Sequence, residues 1–142
     1  MVKKSTLCYY KYMINKIRGK IIHSEGKHLI IDVMGIGFKV NALPDAIFLL
    51  TETGKTREVS IWTHLVVKED ALDLYGFIEK SELDLFLQIS SVSGIGPKKG
   101  LGILSIAPVE TLRRAIATKD LSYLTQGSGI GRKNAEKIIL EL

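Results

Sequence analysis

Two short stretches of the chain, SVSGIGPKKG at residues 91–100 and GSGIGRKNA at residues 127–135, carry the same Gly-Ile-Gly followed by cations. A shift of 35 places lays Phe86 on Leu121, Ile89 on Leu124, Gly94 on Gly129, Ile95 on Ile130 and Gly96 on Gly131. The match continues through Lys98 on Lys133, Ile103 on Ile138 and Leu104 on Ile139. Self-similarity at a fixed period marks a duplicated supersecondary unit. Apolar residues at helical spacing flank each glycine pair, so each copy reads as helix, glycine turn, helix.

Glycine tolerates positive φ and has no Cβ to hold a ligand away from the backbone. The isoleucine between the two glycines can drop into the crevice between its helices and fix the turn. What stays exposed is the start of the second helix, where N–H groups lack partners and the helix dipole is positive. Such an end suits a phosphate oxygen. Lys98 and Lys99 in the first copy, and Arg132 and Lys133 in the second, add attraction to a phosphate chain without reading bases. The candidate phosphate-binding residues are therefore Gly94, Ile95, Gly96, Lys98 and Lys99, with Gly129, Ile130, Gly131, Arg132 and Lys133. One copy alone would be better explained as a helical hairpin whose glycines merely cap and turn; two copies in register, each followed by cations, favour the phosphate reading. Gly35-Ile36-Gly37 serves as an internal control, because it runs on into the strand pattern FKVNAL and reads as a β-turn without a ligand.

Other nucleotide motifs fail. Gly54-Lys55-Thr56 ends like a P-loop, but Leu49 stands where that motif needs its first glycine, and neither Gly-Ile-Gly copy completes G-x-G-x-x-G. No ATP or dinucleotide site is assigned.

From Ile14 to Phe77 the pattern is β: INKIRGKIIHS, HLIIDVM, GFKVNAL, EVSIWTHLVV and ALDLYGF are rich in branched and aromatic residues and divided by turn formers. PDAIFLLTETG interrupts them as a short helix or irregular connection after Pro44. Five short strands in so few residues cannot cover both faces of an open sheet, which makes closure into a small barrel the economical solution. At Ser81 the period changes: SELD resembles a capping box, and Leu83, Phe86 and Leu87 follow at helical spacing. Pro97 and Pro108 each suit the first position of a further helix. The expected fold class is α+β and multidomain. Residues 1–12 form a disordered leader, 13–78 a five-stranded barrel and 79–142 an all-α domain.

The net charge of +5 hints at an anionic partner, but its distribution weakens the hint. Residues 1–12 carry three lysines and no acid, 13–76 carry eight cations against eight acids, and 77–142 carry nine against seven. An anion site must therefore come from local arrangement. Cys8 is the only cysteine, so no intrachain disulfide can form, as suits a reducing compartment. No apolar run is long enough to span a bilayer, and the basic leader lacks the apolar stretch of a secretory signal, so the cytoplasm is the expected location and no membrane partner is expected. His23, His28 and His64 lie scattered without metal-ligand spacing, and no metal, cofactor or catalytic residue is assigned. Trp62 and Tyr75 are expected as core aromatics rather than as stacking platforms for bases.

The paired copies resemble helix-hairpin-helix motifs. With the preceding barrel and the stretches THLVVKED, LDLYGF and SGIGPKKG, the chain from Met13 to Leu142 closely resembles the RuvA family of Holliday-junction-binding proteins. The resemblance implies an OB-fold barrel followed by a tandem helix-hairpin-helix domain. It also implies a homotetramer, octameric in some DNA complexes, that holds four-way junction DNA open on a basic face during recombination and repair. Glu69 and Asp70, at the turn between the last two strands, match the acidic pin of that family; carboxylates placed near phosphates disfavour close packing of backbones. Lys68 beside them would temper the repulsion. The family also works with the RuvB motor, which holds the ATPase activity, and with the RuvC nuclease. RuvB is engaged by a third helical domain, whereas this sequence stops at EKIILEL, so the chain by itself is expected not to engage RuvB. Gly127 and Ser128 replace the family's usual apolar residue and proline, which would loosen the second turn. Two other readings stay open from the residues: a nuclease or glycosylase of the helix-hairpin-helix class, and a general single-strand DNA binder using the barrel.

Overall fold

The structure is a computed structural model that describes residues 13–53, 58–126 and 129–142. The expectations for the leader, for the Gly54-Lys55-Thr56 stretch and for Gly127 and Ser128 lie outside the described residues. The chain divides into two compact units, one up to Leu83 and one from Asp84 to Leu142.

In the first unit, strands β1 (Lys16–Glu25), β2 (His28–Val33), β3 (Ile36–Ala42), β4 (Val59–Val67) and β5 (Leu72–Phe77) close into a barrel in the order β1-β2-β3-β5-β4. The pairs are antiparallel except β3 with β5, which run parallel. All five strands fall on the stretches rich in branched and aromatic residues, because closure leaves no unpaired edge and gives every strand an inward row. Ile17, Leu29, Ile31, Val40, Ile61 and Leu74 form that inward row. Helix α1 (Pro44–Thr53) adds Ile47 and Leu50 to the same core, three residues apart on one face. Two glycines mark where barrel walls approach most closely. A Cβ on Gly19 would overlap the Asp32 carbonyl, and one on Gly76 would meet Val40 Cγ1 at 2.5 Å and Ile61 Cδ1 at 2.8 Å.

Gly35-Ile36-Gly37 behaves as the strand context demands. The turn is made by Met34 and Gly35, with the Gly35 amide donating to Asp32 Oδ1 at 2.7 Å, and Ile36 and Gly37 already belong to β3. The two aromatics part company. Tyr75 is buried, whereas Trp62 is half-buried, with Lys16 Nζ 4.6 Å from its ring centroid and Lys80 Nζ at 6.0 Å. A cation over an indole face is electrostatically favourable, so Trp62 sits where the barrel surface meets its lysines.

Helix α2 (Lys80–Ser90) begins slightly earlier than the SELD signal suggests. The Glu82 carboxylate reaches back to accept from the Glu79 amide at 3.1 Å, which is the second half of a capping box, and Ser81 falls inside the first turn. The second unit continues with α3 (Pro97–Leu104), α4 (Val109–Ala117), α5 (Leu121–Thr125) and α6 (Arg132–Glu141). Pro97 opens α3 as expected, while Pro108 is the residue before α4 rather than its first. Repeat-matched residues occupy matched depths: Ile89 and Leu124 are fully buried, as are Ile103 and Ile138. The duplication is uneven in length, since α5 is a short helix where its counterpart α2 has 11 residues.

Candidate nucleic-acid interface

Gly94 and Gly129 adopt positive φ, 84° and 68°, and two residues later Gly96 and Gly131 stand as N-caps in extended backbone, with φ/ψ of −82°/175° and −72°/161°. The intervening Ile95 and Ile130 are each 4% exposed, so both turns are pinned from below by the same side chain. The four glycines themselves are exposed. Neither N-cap glycine supplies a side-chain hydrogen bond to its helix. The first free partner for an opening amide comes only at Gly100, which donates to the Gly96 carbonyl at 2.9 Å, and at Asn134, which donates to Gly131 at 3.1 Å. The amides of Gly96, Lys98 and Lys99, and of Gly131, Arg132 and Lys133, have no protein acceptor among the described residues. Pro97 has no N–H, so the first turn offers one donor fewer than the second.

The cations beside the turns differ in their freedom. Lys98, Lys99 and Lys133 are exposed and have no carboxylate partner among the described residues. Arg132 is paired along its own helix with Glu136, Nε to Oε1 at 3.1 Å. That i, i+4 pairing partly neutralises the cations beside the second turn.

Gly100 and Gly102 lower the helix propensity of α3, and Gly100 has a packing reason. A Cβ there would lie 2.8 Å from Ser90 Oγ and 3.5 Å from the Phe86 ring. The first turn's two helices thus cross at closest approach where the second copy has the small Ala135.

On the barrel, Glu69 and Asp70 form the two-residue tip between β4 and β5. The Lys68 amide donates to the Ala71 carbonyl at 2.8 Å, and Val67 pairs with Leu72 below it. Both acids are exposed. Lys68 Nζ turns down the hairpin to Asp73 Oδ2 at 3.5 Å, so the tip carboxylates keep no salt-bridge partner among the described residues. Among the described residues no group of three or more His, Cys, Asp and Glu side chains could hold a metal ion. No helix among them is long and apolar enough to cross a membrane.

Residues 13–76 match the RuvA N terminal domain, and residues 86–142 match the SAM-like helix-hairpin-helix tandem. The chain is 44% identical over 130 residues to the Holliday junction branch migration complex subunit RuvA of Caldanaerobacter subterraneus subsp. tengcongensis, covering 92% of this chain and 68% of that protein. The chain belongs to the RuvA family. Other members with the same name include those of Mycobacterium leprae (strain Br4923), 41% identical, and Pseudomonas syringae pv. syringae, 40% identical, each over 92% of this chain and 63% of the relative. The chain thus spans somewhat less than two thirds of the length of these two RuvA proteins. Membership accounts for the order of barrel and paired hairpins.

Two neighbours of the first turn escaped the sequence reading. Lys137 Nζ lies 3.5 Å from the Ser93 carbonyl oxygen, and Asn134 Oδ1 lies 3.6 Å from where a Cβ on Gly94 would stand. Both come from the other repeat, and no local pattern announces a contact between residues so far apart in the chain.

Proposed function

We propose that this chain is a non-catalytic, structure-selective DNA-binding subunit that grips the sugar-phosphate backbone of four-way junctions. The observation that carries this reading is the pair of matched turns, each presenting exposed amides at a helix start with no side-chain cap. A phosphate oxygen is the acceptor such an end suits, and the contact is indifferent to base sequence. Gly94, Ile95, Gly96, Lys98 and Lys99 form one backbone site, and Gly129, Ile130, Gly131, Arg132 and Lys133 form the other.

Selectivity for a crossing requires more than grip. Glu69 and Asp70, exposed and without a salt-bridge partner among the described residues, serve as the pin: in a homotetramer four tips bring eight carboxylates to the centre of the junction and keep phosphate chains apart. Family membership supports this assembly, with an octamer as a second form on DNA. It also supports recombination and repair in the cytoplasm as the setting, with RuvB as the motor and RuvC as a further partner of the whole protein. Junction binding is what residues 13–142 contribute.

Gel shifts should compare a four-way junction with a duplex of equal length at moderate salt. The junction should bind more tightly and remain uncleaved with Mg²⁺. Equal affinity would overturn the reading, strand cleavage would favour a nuclease, and preference for single strands would favour a barrel-based single-strand binder.

A further inference from the structure

Helix α6 reaches across to the turn of the other repeat. Lys133, Asn134 and Lys137 share one face of α6 by three- and four-residue spacing. On that face Lys137 Nζ stands 3.5 Å from the Ser93 carbonyl oxygen. The point where a Cβ on Gly94 would sit has Lys137 Nζ at 3.5 Å and Asn134 Oδ1 at 3.6 Å, whereas the same point on Gly129 has nothing within 4 Å among the described residues. The two turns are alike in backbone and unlike in surroundings.

The repeat explains the asymmetry. The shift that lays Gly94 on Gly129 lays Gly102 on Lys137, so the first repeat has no side chain with which to return the contact. The geometry points to Lys137 as a phosphate ligand of the first glycine turn, supplied by the second repeat, with the Asn134 amide beside it. This assignment rests on the reading of the turns as backbone-binding sites.

Three observations separate Lys137 from a simple brace. Its ammonium carries three donors, and the Ser93 carbonyl occupies one of them at the long limit of a hydrogen bond. It is exposed and has no carboxylate partner among the described residues. Lys133, one turn earlier, is equally unneutralised, and like charges at this spacing disfavour a helix unless an anion lies between or beside them. Arg132, by contrast, has Glu136. A phosphate on the first turn would offer Lys137 a charged acceptor in place of a neutral carbonyl, and charge-assisted bonds are the stronger kind.

The test is a titration of the full chain with labelled four-way junction DNA across a range of salt concentrations, for the wild type, Lys137→Ala, Lys137→Gln and Lys137→Arg. Each phosphate neutralised by a cation contributes about 0.9 to the slope of log affinity against log salt. Lys137→Ala and Lys137→Gln should each reduce the slope by about that amount per bound chain and weaken binding several-fold, and Lys137→Arg should restore the slope. An unchanged slope, with or without weaker binding, would show that Lys137 only braces the fold and would overturn the assignment. If the wild type itself shows no salt-dependent junction binding, the reading of both turns fails along with it.

Discussion

Gly94 and Gly129 hold the same left-handed backbone, and behind each an isoleucine is buried to the same depth. L-residues with a Cβ visit this region only at a cost of about 1–2 kcal/mol. The chain has kept glycine at both places, and at both the result is an exposed helix start. On the proposed reading function resides in backbone amides, and composition and bulk charge then say little about it.

Ser90 and Gly100 offer a test of the packing under the first turn. Gly→Ala inside a helix ordinarily gains about 1 kcal/mol. At Gly100 the new methyl would meet Ser90 Oγ, a buried hydroxyl without a hydrogen-bond partner among the described residues. We predict that Gly100→Ala alone gives no stabilisation, whereas Ser90→Ala with Gly100→Ala stabilises by about 1 kcal/mol or more in urea unfolding. A single Gly100→Ala variant as stable as the double variant would show that the hydroxyl is not the obstacle.

Most of the fold was legible because the barrel stretches are rich in branched and aromatic residues between turn formers and the helical repeat is in register. The five strands and α1 appear where branched residues and Pro44 place them, because barrel closure rewards the same inward row that the pattern displays. Trp62 was misread as a core aromatic, since period-two alternation does not show which half-exposed ring a lysine will cover. Lys68 was read as softening the acidic tip, yet it pairs with Asp73, a choice made by hairpin register. Lys137 was missed altogether, because its partner Ser93 is close only after the repeats have packed.

Asp120 gives a pH dependence with a definite sign. Its carboxylate accepts from the Tyr123 amide at 3.0 Å and from the Ser122 hydroxyl at 2.8 Å, which caps α5 and holds its pKa below the usual 3.8. A depressed folded-state pKa contributes stability that is present above the unfolded value and is lost as pH falls through the folded one. Asp120→Asn keeps a capping oxygen but removes the titration. The variant's melting temperature should therefore fall less than that of the wild type as pH is lowered from about 5 to below 3.8; parallel curves would remove Asp120 from the acid limb.

The acidic tip predicts a gain on loss of charge. Replacing Glu69 and Asp70 by glutamine removes two carboxylates that have no salt-bridge partner among the described residues, so no intramolecular ion pair is broken. Junction affinity should stay the same or tighten, and stability should change by less than about 0.5 kcal/mol. A clear loss of junction binding at unchanged stability would contradict a repulsive role.

The most direct measurement concerns Gly96 and Gly131. Both have negative φ, and a Cβ on either would meet nothing within 4 Å among the described residues, so Gly96→Ala with Gly131→Ala should still fold, losing only the roughly 1 kcal/mol that alanine costs at an N-cap. The methyls would stand where a phosphate must approach the opening amides. Anisotropy titration with four-way junction DNA should then show at least a tenfold loss of affinity, about 1.4 kcal/mol. Wild-type affinity in the folded double variant would mean that DNA is not held at these turns.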